Sequence, residues 1–449
     1  MHWRQRVPAA LAAAAVVAAG FAVGGAVRGP DLSFEPALVT RPGYRAEPTD
    51  VVERATAARH RTWVDAGRVP GSGTRFEPMS RWALSDIRTL LRGNGAVPAG
   101  AGDRWSYVWP RDAAFVAVAL ARTGHPGEAR GVLGFLDRLP FDPADGFDAR
   151  YTLTGARVDP TVARPPQSDG CGWVLWALGE VRSADPAAVP RSAAGLRERC
   201  TAQLLTATDS GRRLPAPSPD YWEVDVDETS LGTVAPMVAG LRAASVDARA
   251  GGDETRARSL AQATSRLREV VAEAFGPAYQ RFGDDGGVDA ATTFLLPPFA
   301  PGSRDAGHAV RGYQERALRV SGGLAPGEEW KQDGTSWTPE TALVAYTAAA
   351  SGRRDVAERW LDWLDAHRTA YGSLPEKVTR RGMPAGPAPL LWTSALVLLA
   401  LDALDAPTSA APAAAPTSVA PAPPAVAPGQ ARRASRSATR APVRSTAPE

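Results

Sequence analysis

The sequence predicts an all-α protein, an (α/α)6 barrel made of six helical hairpins. Apolar residues recur at helical spacing in twelve segments between residues 79 and 404, and almost no segment alternates like a strand. Turn signals such as TGHPG, RAGGDE and SGRRD separate these segments. A ring of six hairpins would leave a central pit lined by the inner helices.

An internal similarity supports the repeated hairpin. The stretches ARTGHPGEARGVLGFLD (121–137) and AASGRRDVAERWLDWLD (349–365) share an Ala, a Gly three residues later, an Ala five residues after that, and an aromatic-Leu-Asp ending. One hairpin cannot bury its apolar face alone, so copies must stack on each other. Closing six copies into a ring gives every hairpin a neighbour on both sides, so that each apolar face is buried.

The twelve segments alternate with short turns and long loops. The long loops cover 140–168, 208–227, 319–338 and 371–387. Because long loops gathered on one face usually carry function, we expect the site there. The helical segments are 79–91, 111–123, 128–139, 170–181, 193–207, 228–248, 254–274, 289–296, 304–318, 339–350, 356–370 and 389–404.

The two ends of the chain differ from the body. Residues 1–30 hold a basic start and an uncharged run over 8–27, which indicates either a cleaved signal peptide or an N-terminal membrane anchor. No Cys follows the run, which excludes a lipoprotein anchor. Residues 31–74 form a lead-in segment, 75–405 the helical domain, and 406–449 a disordered, basic Pro/Ala-rich tail. We therefore expect an extracytoplasmic protein.

The net positive charge of the chain lies in its two terminal segments. The chain carries a formal net charge of +3, but residues 1–30 carry +3 and residues 406–449 carry +4, which leaves −4 for the body. A basic binding stripe is absent from the body, so we expect no nucleic-acid partner. We expect a monomer.

Cysteine and histidine usage excludes several enzyme classes. Cys171 and Cys200 are the only cysteines, and they flank a turn-like stretch at 183–190. They form either a disulfide across an antiparallel helix pair or two buried free thiols. No metal-binding spacing, phosphate-binding glycine loop or Gly-x-Ser-x-Gly motif occurs, so we expect neither a metal nor a cofactor.

The stretch RWSYVWPRDAAF places an Arg-Asp pair directly behind aromatic residues at the start of a helix. Asp112 could simply stabilise the helix N-terminus, where the macrodipole favours a carboxylate. The alternative is sugar recognition, in which Tyr107 and Trp109 stack on a pyranose ring and Arg111 with Asp112 binds adjacent hydroxyls. The concentration of aromatic residues favours sugar recognition.

Two further loops contain candidate acid–base residues. In RLPAPSPDYWEVDVDETS, Glu223 follows Trp222, and a carboxyl packed against an indole is a common setting for a general acid. A simple N-terminal charge cluster would explain Asp227 and Glu228 but not the Trp-Glu pair. In AYGSLPEKV, Glu376 taken alone reads as a solvated loop residue.

The order and intervals of four motifs resemble the catalytic domain of glycoside hydrolase family 15, the family of glucoamylases, glucodextranases and bacterial trehalases. The motifs are RWSYVWPRDAAF, RPPQSDGCGWVLWAL, PSPDYWEVD, and SLPEKV with PLLWTSALVLLAL behind it, across residues 75–405. The resemblance implies an (α/α)6 barrel and inverting, exo-acting hydrolysis of an α-glucoside in an oligo- or polysaccharide, with two glutamates.

The resemblance also assigns roles to residues. It implies that Glu223 is the general acid, that Glu376 is the general base, and that Arg111 with Asp112 binds the terminal sugar beside Trp109. Gln167, Asp169 and Gly170 match another family motif, for which we expect a supporting role. The substrate-binding residues are expected to be Tyr107, Trp109, Arg111, Asp112, Asp169 and Trp222.

The chain departs from the family pattern at two positions. Val224 follows the acid where the family commonly has a second Glu, and Lys377 follows the base where Gln is frequent. Both changes affect the expected leaving-group side, so linkage and aglycone stay open. Two alternatives also stay open: a carbohydrate-binding or scaffold protein that has lost turnover, and a toroidal polysaccharide lyase.

Overall fold

A computed structural model describes residues 38–40, 43–45 and 51–406, and all structural statements below refer to these residues. The predicted export segment, the membrane run and the tail from 407 onward lie outside them. The elements are β1 Leu38–Thr40, β2 Gly43–Arg45, α1 Val51–Ala66, α2 Glu77–Leu90, α3 Pro110–Arg122, α4 Pro126–Asp137, α5 Gly170–Ala184, α6 Ala193–Ala207, α7 Leu231–Ala250, α8 Glu254–Phe275, α9 Arg304–Arg316, β3 Ser336–Trp337, α10 Thr338–Ala350, α11 Arg354–Ala366, β4 Lys377–Val378, β5 Pro384–Ala385 and α12 Leu391–Asp405.

The predicted helical segments agree with the observed helices, except that their ends are shifted and that two further differences occur. The eighth segment forms a 3-10 helix, Ala290–Leu295, because it is only six residues long and is bounded by Asp289 and a proline-rich turn. Helix α1 was not predicted. It lies outside the twelve predicted segments and contacts α2. This helix is polar and has only two buried residues, Ala57 and Val64. The sequence therefore shows no clear apolar stripe there.

Six segments form an inner ring, each contacting the next, with the last contacting the first. The order round the ring is α3, α5, α7, the 3-10 helix, α10 and α12. The inner helices are apolar on all sides, as a helix surrounded by others must be. The outer helices α2, α4, α6, α8, α9 and α11 alternate with them along the chain, so the fold is the expected (α/α)6 barrel.

Close approach of two inner helices depends on glycine. A Cβ at Gly172 in α5 would lie 2.4 Å from the carbonyl oxygen of Pro236 in α7, and one at Gly240 would lie 2.7 Å from the carbonyl oxygen of Gly172. Any larger residue at Gly172 would therefore separate α5 from α7.

The two cysteines are joined in a disulfide. Cys171, in the first turn of α5, pairs with Cys200 of α6, with their Cα atoms 5.0 Å apart. Of the two alternatives left open by the sequence, the structure contains the bridge. It links an inner helix to its outer partner near the end of the barrel where the site lies.

The inner segments alternate with outer ones, so all of them run in the same direction and begin at one end of the barrel. Contacts between their first turns confirm this: Arg111 of α3 reaches Asp169 before α5, and Thr338 of α10 lies 2.8 Å from Thr393 of α12, hydroxyl to hydroxyl. Strands β3, β4 and β5 form a small antiparallel sheet at the same end. In the described residues no helix is long and apolar enough to span a membrane.

Candidate active site

An arginine at the start of α3 is the centre of the site. Arg111 is 4 % exposed, and its Nη1 donates to the carboxylate of Asp169 at 2.9 Å and to the side-chain oxygen of Gln167 at 3.1 Å. Asp169 also accepts from the indole of Trp173. The guanidinium carbon lies 5.3 Å from the ring centre of Trp392 in α12. These contacts fix the orientation of Arg111.

Asp112 lies beside this arginine and is available to a ligand. Its Oδ2 is 3.6 Å from Nε of Arg111, and this oxygen is buried without a hydrogen-bond partner among the described residues. Burial raises the pKa of Asp112 to about 7, and Arg111 opposes that rise. The N-cap residue of α3, Trp109, forms no side-chain capping bond to the described residues. The Oδ2 of Asp112 is therefore available to a ligand.

Aromatic rings form one wall beside Asp112. Trp109 and Tyr107 meet edge to face with ring centres 6.3 Å apart, and the indole Nε1 of Trp109 is buried without a hydrogen-bond partner. The Arg150 guanidinium stacks on both rings, 4.4 Å from Tyr107 and 5.3 Å from Trp109. Flat apolar faces with unpaired donors at their edges suit a sugar ring.

The loop after α11 places Glu376 in the site, directly before β4. The residue is buried, and burial raises the pKa of its carboxyl, an effect that the neighbouring ammonium of Lys377 at 3.2 Å opposes. The nearby Trp105 side chain also opposes the rise in the Glu376 pKa. Gly386, next to β5, leaves room: a Cβ there would lie 2.6 Å from Glu376 Oε2. Glu376 is thus a positioned carboxylate rather than a solvated loop residue.

The loop before α7 carries Glu223 at the tip of a turn. Its backbone has φ of 54°, a strained value for a residue with a side chain, and its amide donates to the Asp220 carbonyl at 2.9 Å. The carboxylate forms an ion pair with Arg164 at 2.7 Å, and its side chain is 22 % exposed. We expected an apolar setting against Trp222; the structure instead provides a guanidinium partner. Glu223 acts electrostatically on Arg111, Asp112 and Glu376, so it belongs to the same pit.

A buried network holds the Glu223 turn in place. The Asp220 carboxylate accepts from the hydroxyl of Ser230 at 2.6 Å and from Arg281 at 2.8 Å, and Arg281 also pairs with Asp289. The Arg281 guanidinium carbon lies 3.7 Å from the Trp222 ring. Charges buried in this way stay together because separating them would leave an unpaired ion. The network therefore fixes Trp222 and the direction of the Glu223 turn.

Glu340, in the first turn of α10, is a buried acid that the sequence reasoning missed. Burial raises the pKa of Glu340 to about 8, and its Oε2 has no hydrogen-bond partner among the described residues. It interacts electrostatically with Glu376 and Arg111. The segment SWTPETALV holds the same signal as the α3 motif, a Trp and a Pro before a first-turn acid, so it could have been found.

Other missed residues come from contacts between loops. Trp330 meets Trp222 and Trp337 edge to face, with ring centres 4.9 Å and 5.5 Å apart, and Lys377 lies 4.3 Å from the ring centre of Trp337. Arg164 gives no sequence signal, because its pairing with Glu223 depends on how two loops fold. The site thus extends from the expected substrate-binding residue Trp222 into an aromatic row formed by Trp222, Trp330 and Trp337.

A separate cavity of about 920 Å³ lies at the other end of the barrel. Its lining includes Arg122, Glu180 and Asp402, from the C-terminal halves of inner helices. None of the predicted catalytic or substrate-binding residues lines it. Two of its lining residues, Arg122 and Glu180, form an ion pair at 2.7 Å. The predicted site residues therefore lie at the opposite end of the barrel from this cavity.

Comparisons with known proteins agree with the barrel. No family model and no curated protein matches the chain. A solved glycosidase is similar at 23 % identity and a TM-score of 0.62, covering 73 % of this chain and 96 % of its own.

Glucoamylase structures are also similar. A bacterial glucoamylase complexed with acarbose has 14 % identity and a TM-score of 0.61, covering 79 % of this chain and 59 % of its own. Glucoamylase from Saccharomycopsis fibuligera has 15 % identity and a TM-score of 0.59, covering 77 % of this chain and 95 % of its own. The chain therefore has the (α/α)6 fold of the glycoside hydrolase family 15 glucoamylases.

Proposed function

We propose that this protein is an inverting, exo-acting glycoside hydrolase that removes a terminal α-linked sugar from an oligo- or polysaccharide. The observation that carries the proposal is the placement of Glu223 and Glu376 on two different loops within electrostatic range of each other, with Glu223 also within range of Arg111. Two carboxylates near each other at one end of the barrel are what glycoside hydrolysis needs.

Each side chain has a role in this proposal. Glu223 gives a proton to the glycosidic oxygen as the bond to the anomeric carbon breaks. Glu376 accepts a proton from the water that attacks that carbon from the opposite face. Asp112 and Arg111 bind hydroxyls of the terminal sugar, and Trp109 supplies an apolar face. Because Arg111 and its partners are buried, they close the pit, which suits a chain end.

A comparison of spacing supports the assignment of the two glutamates. Two of the similar glycosidase structures are variants in which a glutamate is replaced by alanine, at positions 157 residues apart in that chain, and one of them is in complex with glucose. Glu223 and Glu376 are 153 residues apart. The two proteins share the fold, so this similar spacing favours equivalent positions.

The test is turnover of single variants on a panel of α-linked substrates. Maltooligosaccharides, isomaltooligosaccharides and trehalose should be screened for release of free sugar, because loop geometry sets the linkage. Glu223→Gln and Glu376→Gln should each lower kcat by roughly two to four orders of magnitude, the usual contribution of a positioned acid or base. Binding without turnover in the wild type would favour a carbohydrate-binding protein, and an unsaturated, ultraviolet-absorbing product would mark a lyase.

We also propose that the protein works outside the cytoplasmic membrane, either secreted or anchored through residues 8–27. The basic start and the uncharged run support export. The Cys171–Cys200 disulfide agrees with an oxidising compartment. A periplasm-dependent reporter fused after residue 405 should be active; an inactive reporter would contradict export.

A further inference from the structure

We infer that the leaving group of the substrate carries a negative charge, a carboxylate or a phosphate, which takes Arg164 away from Glu223. This inference rests on the proposed function and names the class of substrate. The anionic group would lie beyond the scissile bond, at the mouth of the pit.

The state of Glu223 in the structure carries the first step. Its carboxylate forms an ion pair with Arg164 at 2.7 Å. A general acid must carry a proton when the glycosidic bond breaks, and a guanidinium partner opposes that role. In this proposal substrate binding separates Arg164 from Glu223, which leaves the Glu223 carboxyl free to act as the acid.

Arg164 loses its anionic partner in this step, and an anion on the ligand can take that place. A neutral sugar hydroxyl can accept a hydrogen bond from the guanidinium but cannot balance its charge. A carboxylate or phosphate matches the planar fork of arginine and can form two parallel hydrogen bonds. The Arg164 side chain is 38 % exposed, so a ligand entering from solvent can reach it.

A second arginine lies on the same side of the pit. Arg150 interacts electrostatically with both Arg164 and Glu223, and it donates to the Val162 carbonyl at 2.8 Å in the loop that carries Arg164. Its Nε is buried without a hydrogen-bond partner among the described residues. Of these two neighbouring guanidinium groups only Arg164 forms an ion pair with Glu223, so the cluster has room for another anion.

The two lysines of the chain also favour an anionic leaving group. The sequence has only two, Lys331 and Lys377, and both lie by the aromatic row: Lys331 is 5.8 Å from the Trp330 ring centre and Lys377 is 4.3 Å from that of Trp337. Lys377 stands where the resembling family frequently has a neutral Gln. Both lysines thus lie near aromatic residues that adjoin the Glu223 and Glu376 loops.

The experiment compares two substrates that differ only in charge. The α-glucosides of glycerol and of glycerate have the same sugar and a three-carbon aglycone. The wild-type full-length protein should hydrolyse the glycerate glucoside with a kcat/KM roughly 10- to 100-fold higher, the range expected for a hydrogen-bonded charged group. The preference should weaken as salt rises, because the pair is partly exposed.

Variants assign the preference to Arg164. In Arg164→Gln the ratio of the two kcat/KM values should fall to near one, and in Arg164→Lys part of it should return, because charge is restored without the fork. Arg157→Gln is the matched control: Arg157 lies in the same long loop, is half exposed and pairs with Asp148, so its loss should leave the ratio unchanged.

The outcomes separate this inference from the proposed function. Equal hydrolysis of both glucosides by the wild type would overturn the anionic leaving group and leave the hydrolase standing. If neither glucoside is hydrolysed, calorimetry with the same two compounds decides. Tighter, Arg164-dependent binding of the glycerate glucoside would support the anion site without hydrolysis, and equal or absent binding of both would overturn it.

Discussion

At the scale of single residues, neighbouring side chains of the site differ in how strongly the rest of the protein holds them. Arg111 is held by Asp169, Gln167 and Trp392, whereas the Oδ2 of Asp112 has no hydrogen-bond partner among the described residues. Neighbours in sequence can therefore have different consequences when they are replaced. The motif alone could predict that both residues face the sugar, but it could not show which of them the protein needs in order to fold.

Asp112→Asn should lower kcat/KM by roughly tenfold to a few hundredfold, the loss expected for a charged hydrogen bond to a hydroxyl. Its unfolding transition should stay close to wild type. Arg111→Ala serves as the contrast, because it leaves the buried Asp169 unpaired and should lower the free energy of unfolding by about 3–5 kcal/mol. A lower melting temperature with unchanged turnover in Asp112→Asn would instead assign Asp112 to the helix terminus.

Glu340 makes stability depend on pH. Its pKa in the folded protein is about 8, above its ordinary value of 4.5, so the folded state keeps a proton that the unfolded state has released. Stability from this group is therefore full below pH 4.5 and is lost as pH rises towards 8. Glu340→Gln cannot titrate, so relative to wild type it should gain unfolding free energy between pH 5 and pH 8 in denaturant titrations. An equal difference at both pH values would contradict the raised pKa.

At the scale of elements, the β4–β5 hairpin holds the proposed base against the start of α10. Thr338 donates to the Glu376 carbonyl from its amide at 3.0 Å, and Glu376 donates from its amide to the carbonyl of Pro387 at 2.9 Å. Neither strand was predicted, because each is two residues long and a repeat of period two cannot be recognised over that length. The helices were predictable because apolar spacing over three turns is a long signal.

Gly386→Ala should lower kcat by roughly 10- to 100-fold, because its Cβ would contact Oε2 of Glu376 and displacements near 1 Å can cost that much. Gly382→Ala is the matched control. Both glycines have left-handed backbones, with φ of 74° and 76°, but a Cβ at Gly382 meets nothing closer than 3.9 Å. Steady-state kinetics of the two variants give the comparison. Equal losses in both would assign the effect to backbone strain rather than to the base.

At the scale of the whole molecule, the ring brings together residues that are far apart in sequence. Alternation of inner and outer helices makes all inner segments begin at one end, so first-turn residues such as Arg111 and Glu340 share one pit. The sequence could predict this end and most of its residues from helix starts. It could not predict Arg164 beside Glu223 or Arg281 beneath Trp222, because those contacts depend on loop paths that no local pattern encodes.

The anomer released in the first minutes of hydrolysis tests the central claim most directly. In an inverting enzyme the acid and base carboxyl groups stand about 6.5 to 9.5 Å apart, which leaves space for the attacking water on the face opposite the leaving group. Proton NMR of the wild-type reaction on an α-linked substrate should then show the β-anomer of the released sugar before mutarotation mixes the two forms. An initial α-anomer would mean retention, and would contradict the roles proposed for Glu223 and Glu376.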